Sequence, residues 1–229
     1  MDGRGRAWTA PTEAVRCGVL IGTTNVLPPK GINTTWYLDL NHFARQTSWA
    51  HGFMHAYALW AGLTVLAVLT AFVIVTARLR PDGPRALAIP LLTAASALVA
   101  LGANQLLSHG FGELRPYVVH PSALVLVGRA NDFSFPSDHA IVAGALACGL
   151  LLYDRRYGIP AAVLALTVAF ARLYVGSHYI GDVVAGLVAG AVIAAVFIFG
   201  LRSLVAAGAD RLARTPLRPL FQARATTDS

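Results

Sequence analysis

Residues 53–77 read FMHAYALWAGLTVLAVLTAFVIVTA, without one Asp, Glu, Lys or Arg. A helix crossing the hydrocarbon core needs about 20 mostly apolar residues, and this stretch supplies them with length to spare. Working outward, Ala86 to Leu107 is a second uncharged candidate, with Asn104 and Gln105 polar near its end. Ser137 to Tyr153 is a third and short one, Ile159 to Val175 a fourth with Arg172 near its end, and Ile180 to Leu201 a fifth with Asp182 near its start. Of the 229 residues, 56% are hydrophobic and 13% charged, against about 25% charged in soluble domains. Too few charges remain to cover a water-soluble sphere, and the same composition excludes disordered, collagen-like and disulfide-scaffold chains. The expectation is an all-α integral membrane bundle of about five transmembrane helices.

The net charge of +7 is placed as membrane orientation requires, and it does not signal nucleic acid. Arg78, Arg80 and Arg85 share one loop, Arg155 and Arg156 another, and Arg202, Arg211, Arg214, Arg218 and Arg224 follow the last apolar run. Such clusters at alternate loops follow the positive-inside rule. They put loops 78–85 and 154–158 and the tail in the cytoplasm, and loops 108–136 and 176–179 on the other face. With five spans the N-terminus lies outside too, where Arg4, Arg6, Arg16, Lys30 and Arg45 weaken the bias. Trp36 to Trp49 mixes aromatic and polar residues, with Trp36, Leu40 and Phe43 at helical spacing, and reads as an interfacial helix, with a short re-entrant turn as the alternative. Three regions follow: an N-terminal extension (1–32), a membrane-embedded domain (33–201) and a basic tail (202–229). The N-terminus lacks a secretory signal pattern. Cys17 and Cys148 read as unpaired and non-catalytic.

The unusual polar residues all fall at one face. Arg115, Pro136-Ser137-Asp138-His139, Arg172, His178 and Asp182 sit at the same set of helix ends. Ionisable groups inside or beside spans are costly and mark functional sites by default. Two arginines suit phosphate oxygens, one histidine can attack phosphorus, and another can protonate the leaving oxygen. His178 and Asp182 are spaced i, i+4 and share a helical face, so the carboxylate can orient the imidazole. Pro136 and Ser137 read as a helix start whose N–H groups face an anion, with Asp138 as cap and site residue. Glu113 and Asp132 are expected to pair with arginines of their loop. His42, His51, His55 and His109 read as satisfied interfacial residues, His51 and His55 having metal-ligand spacing without a third ligand. For His120 a substrate contact and a structural role stay equally open. Gly186 and Gly190 read as a packing stripe within one monomer.

At these residues the chain resembles the type-2 phosphatidic acid phosphatase superfamily, which shares its site with vanadium haloperoxidases. Arg115-Pro116 matches the end of a Lys, six residues, Arg-Pro motif. Pro136-Ser137-Asp138-His139 matches Pro-Ser-Gly-His with Asp for Gly. Arg172, His178 and Asp182 match Ser-Arg, five residues, His, three residues, Asp. The family lysine is replaced by Ser108, with Arg129 or His109 as possible substitutes, and the family serine by Ala171. The run Asn131 to His139 is further similar to the bacitracin-resistance type of undecaprenyl-diphosphatase.

The resemblance implies hydrolysis of a polyprenyl (undecaprenyl or decaprenyl) diphosphate to the monophosphate, recycling the cell-envelope lipid carrier. It also implies a bacterial plasma membrane location, an active site on the extracytoplasmic side, and neither metal nor other cofactor. His178, His139 and Asp182 are the implied catalytic residues; Arg115, Pro136, Ser137, Asp138 and Arg172 are the implied phosphate-binding residues. Two alternatives stay open: a phosphatase of phosphatidic acid or phosphatidylglycerol phosphate, and a catalytically inactive lipid-phosphate-binding protein. Oligomeric state is not readable.

Overall fold

The computed structural model describes residues 31–80, 83–212 and 214–215. Every regular element among them is helical. We number six helices: α1, Ile32–Gln46; α2, Ser48–Arg78; α3, Ala88–Phe111; α4, Asp138–Tyr153; α5, Arg155–Tyr174; and α6, Ile180–Leu212. Helices α2, α3, α5 and α6 are long and apolar enough to cross a membrane, whereas α4 is shorter. The five expected spans are thus four long helices and one of 16 residues, about 24 Å at 1.5 Å per residue. The sequence shows why the short one holds the middle. Residues from Ala140 to Leu150 are small or apolar on every side, and a helix apolar all round is a buried one. Helix α4 packs on α6, α5 and α3, burying Ile141, Leu146 and Leu150.

Glycines set the closeness of that packing. A Cβ added at Gly190 of α6 would run into the Ile141 carbonyl, and one at Gly144 of α4 into the backbone of Leu187. The Gly186 and Gly190 stripe therefore packs within the monomer. Gly190→Ala is expected to destabilise by about 1–3 kcal/mol, since neither backbone can yield without separating the helices. A lowered thermal midpoint in detergent measures this; an unchanged one would mean that the helices can shift apart freely.

Element ends are set locally. Gly112, at φ 62°, caps α3, its N–H bonding the Ser108 carbonyl at 2.9 Å, a left-handed cap that glycine favours. The Asp154 carboxylate accepts the Arg156 N–H at 2.9 Å and starts α5. The last helix runs through to Leu212, past the expected end at Leu201. Alternation of direction brings the end of α3, the start of α4, the end of α5 and the start of α6 to one face. The basic turns lie at the other, where Arg85 pairs with Asp210 at 3.0 Å. Arg4, Arg6, Arg16, Cys17, Lys30, Arg218 and Arg224 lie outside the described residues.

Helix α1, expected to be interfacial, packs onto the loop that crosses the site. Its Asn41 amide pairs with the Leu124 backbone in both directions, at 2.7 and 3.0 Å. Tyr37 donates to the Gly176 carbonyl at 3.3 Å, and Arg45 to that of Ser122 at 2.5 Å. The helix therefore clamps the loop that crosses the site, while Trp36 and Phe43 remain largely exposed.

Candidate active site

One pocket of about 230 Å3 brings together Arg115, Asp138, His139, Arg172 and His178, with Leu59 and Asp132 also in its wall. These residues come from the loop after α3, the start of α4, the end of α5 and the turn before α6, elements remote in sequence. Arg115, Arg172, His178 and Asp182 are all buried. Buried charge is costly unless paired and hydrogen-bonded, so the partners of each group carry the chemistry.

His178 is held by acceptors at one ring nitrogen and by donors at the other. Its Nδ1 lies 3.3 Å from Asp182 Oδ2 and 2.9 Å from the Ser134 carbonyl. Both partners are acceptors, so Nδ1 carries the proton. Its Nε2 lies 3.3 Å from Arg115 Nη1 and 3.3 Å from Arg172 Nη2. Both neighbours are obligatory donors, which leaves Nε2 with its lone pair facing the two guanidiniums. Burial, assisted by the two arginines and only partly offset by the Asp182 hydrogen bond, pushes the imidazole down to about 4. The ring is accordingly neutral at pH 7.

Asp182 is in turn fixed. Its Oδ2 accepts from the Tyr179 N–H at 2.9 Å and from the Ser134 hydroxyl. Its backbone carbonyl accepts the Ser137 N–H at 3.1 Å. Ser134 thus touches both members of the pair, with its hydroxyl on the carboxylate and its carbonyl on the imidazole. Sequence reasoning passed over it, although it opens the run Ser134-Phe-Pro-Ser-Asp-His139.

The two arginines differ. Arg115 grips Asp132 with a two-point fork, Nε to Oδ1 at 2.6 Å and Nη2 to Oδ2 at 2.9 Å. Burial opposes ionisation of Asp132, yet the bonded guanidinium holds its carboxyl below the usual range. Arg172 has no carboxylate in the described ion pairs. It donates to the Ala58 carbonyl at 3.4 Å, and its buried Nε has no hydrogen-bond partner. Ala58 belongs to a π turn, Tyr57–Ala61, inside α2. Leu59 of the same turn lines the pocket beside His139. Such wider turns disturb the regular carbonyl pairing and recur at functional sites; nothing in the apolar run 53–77 announces this one.

The remaining expectations separate cleanly. Ser137, not Asp138, is the N-cap of α4 and makes no side-chain cap bond; Asp138 is the first helical residue, where its charge meets the helix dipole. The reason is register: Ser137 is still extended, so the helix begins one residue later than a capping Asp138 would require. The Ser137 hydroxyl is buried without a partner. Pro136 lies beyond Asp138 and lines a neighbouring recess with Ser108 and His109. Arg129 turns away, over the Tyr117 ring and toward the Pro121 carbonyl, so it does not replace the family lysine. Ala171 packs in an apolar cluster with Ala58 and Tyr174. Asp132 pairs as expected, whereas Glu113 makes no ion pair among the described residues. His51 and His55 each bond a backbone carbonyl, at 2.8 and 2.5 Å, and His120 stacks on Tyr37. Cys148 is a free cysteine.

A family model described as the PAP2 superfamily matches residues 85–202, a stretch containing every pocket charge described above. The chain belongs to the PAP2 superfamily. Among curated relatives, undecaprenyl-diphosphatase BcrC of Bacillus subtilis is 36% identical over 44% of this chain and 51% of its own length. Decaprenylphosphoryl-5-phosphoribose phosphatase of Mycobacterium tuberculosis is 32% identical over 64% of this chain and 76% of its own. An undecaprenyl-diphosphatase of Sulfolobus acidocaldarius is 28% identical over 70% and 74% respectively. The chain spans about half the length of the first of these. As a PAP2 member it is a multi-pass helical membrane protein, with its buried charges gathered at one end of the bundle.

Proposed function

We propose that this PAP2 protein is a metal-independent lipid phosphatase that hydrolyses a polyprenyl diphosphate to the monophosphate through a phosphohistidine. The observation that carries the reading is His178, its Nδ1 tied to Asp182 and Ser134 and its unprotonated Nε2 facing two guanidiniums. Nε2 attacks the terminal phosphorus, a P–N bond forms, and the bridging P–O bond breaks. His139 gives its proton to the departing oxygen, then takes one from the water that cleaves the P–N bond. Arg115, Arg172, the Ser137 hydroxyl and the N–H groups at the start of α4 hold the equatorial oxygens. Asp182 and Ser134 orient the nucleophile, and Asp138 stands in the pocket wall beside His139.

Relatives named for undecaprenyl and decaprenyl phosphates support a polyprenyl substrate. The basic cytoplasmic turns support a site on the extracytoplasmic side of a bacterial inner membrane, with residues 33–201 as the catalytic unit. The test is phosphate release from undecaprenyl diphosphate in detergent with chelator present, comparing wild type with His178→Ala. Release that persists with chelator and vanishes in the variant is the expected result. Release that requires a divalent ion would sink the mechanism.

The low His178 value makes a further prediction. A base works when unprotonated, so a depressed pKa keeps the nucleophile competent as pH falls and loses it only near 4. Imidazole ¹⁵N NMR of the free protein should show the Nδ1–H tautomer at neutral pH and protonation of Nε2 near pH 4. Titration at 6.5 or above would mean that the ring is not buried as described. In turnover, this group sets the acid limb of kcat/KM once the substrate's own ionisation is subtracted.

A further inference from the structure

The start of α4 is pinned from two sides. From α6, the Asp182 carbonyl accepts the Ser137 N–H at 3.1 Å. From α3, the Asn104 amide reaches across: its Nδ2 donates to the Pro136 carbonyl at 3.0 Å and to Asp138 Oδ1 at 2.6 Å. Gln105, the next residue of α3, brings its Nε2 to 3.5 Å from the same carboxylate oxygen. Asn104 is buried, and its own amide oxygen has no hydrogen-bond partner. The orientation of the amide follows from its surroundings. Turned over, its oxygen would face a carbonyl and a carboxylate, neither of which can donate. The side chain therefore serves these two acceptors at the expense of its own oxygen.

The carboxylate held in this way has the wrong sign for the pocket it borders. Asp138 lines the phosphate pocket together with Arg115, Arg172 and His178. It also lines a recess of about 120 Å3 on the α3 side, with Asn104, Gln105 and Ser108. A charge at the rim of two cavities can be presented to either. Turned into the pocket, the carboxylate would repel phosphate oxygens and compete with them for Arg172. Drawn onto the Asn104 amide, it leaves the phosphate to the arginines and to the N–H groups of the first turn of α4.

We propose that Asn104 is a positioning residue for phosphate binding, holding the Asp138 carboxylate toward α3 and away from the phosphate site. The inference rests on the reading of this pocket as the phosphate site, and it concerns binding and not the chemical step.

The test uses full-length wild type, Asn104→Leu, Asp138→Ala and the double variant in detergent. It reads kcat and KM on farnesyl diphosphate, and the Kd of inorganic phosphate by ³¹P NMR titration. Leucine is close to asparagine in size and lacks the donor. Asn104→Leu should raise both KM and Kd about tenfold, the effect of one like charge brought beside a bound anion, with kcat within about threefold of wild type. In the double variant both constants should lie within about threefold of the Asp138→Ala values, because no carboxylate remains to be held. A side chain that only braces the bundle would instead lower the active fraction, and with it the apparent kcat, leaving KM and Kd unmoved. That result overturns the inference, and so does a tenfold rise that persists in the double variant. An Asn104→Leu chain that folds only together with Asp138→Ala supports it, and one that folds in neither background overturns it. Failure of the underlying reading shows separately, as a wild type that neither binds inorganic phosphate nor releases it from farnesyl diphosphate.

Discussion

Replacing His178 by alanine should lower kcat on a polyprenyl diphosphate by about 10⁴-fold or more, the scale on which removing one member of a covalent catalytic set acts. The reason is that no other imidazole can take the place of Nε2. His139 stands in the same pocket as the acid, and His109 and His120 point to other surroundings. The fold should survive, because the lost ring leaves Asp182 still bonded to Ser134 and to the Tyr179 N–H. Steady-state phosphate release, read beside circular dichroism and the thermal midpoint, checks both halves. Mass spectrometry after an alkaline quench should find phosphate on His178 in the wild type. A His178→Ala variant within tenfold of wild type would require a different nucleophile.

Arg172→Ala is expected to cost about 10²–10³-fold in kcat, the loss seen when one preorganised donor to a developing charge is removed. Arg172 is the pocket cation without a carboxylate partner among the described ion pairs, so its charge is free for an incoming phosphate. Arg115 is paired with Asp132, so its alanine variant should both lose a phosphate contact and disturb the loop. Arg172→Lys should recover little. A single ammonium cannot bond the Ala58 carbonyl, approach His178 Nε2 and offer a further donor at once, as the planar fork does. Separate kcat and KM values decide the matter. Full recovery by lysine would reduce Arg172 to a point charge.

Much of this was open to sequence reading because the chemistry uses short-range patterns. Arg172, His178 and Asp182 lie within one helix end, one turn and the next helix start, and i, i+4 spacing alone puts His178 beside its carboxylate. Membrane character and the central place of α4 follow from composition, since an all-apolar helix has no solvent face to offer. The Gly186 and Gly190 stripe announced the close contact that Gly190 and Ile141 make.

Other features depend on contacts between segments far apart in the chain, which no local pattern encodes. The Ser134 hydroxyl on Asp182, the Ala58 carbonyl on Arg172 and the clamp of Asn41 on Leu124 all span such distances. Arg129, a plausible replacement for the missing lysine by sequence proximity, is drawn instead onto the Tyr117 ring. The sequence by itself determined that the protein sits in a membrane, that its helices alternate, and that two arginines, two histidines and an aspartate meet at one face. Those outcomes need only hydrophobic period and residue spacing. Which nitrogen of His178 carries the proton and which pocket arginine has no carboxylate partner among the described ion pairs were decided by the tertiary structure alone. Each depends on the side-chain and backbone partners that packing brings within about 3 Å, the range over which hydrogen bonds act.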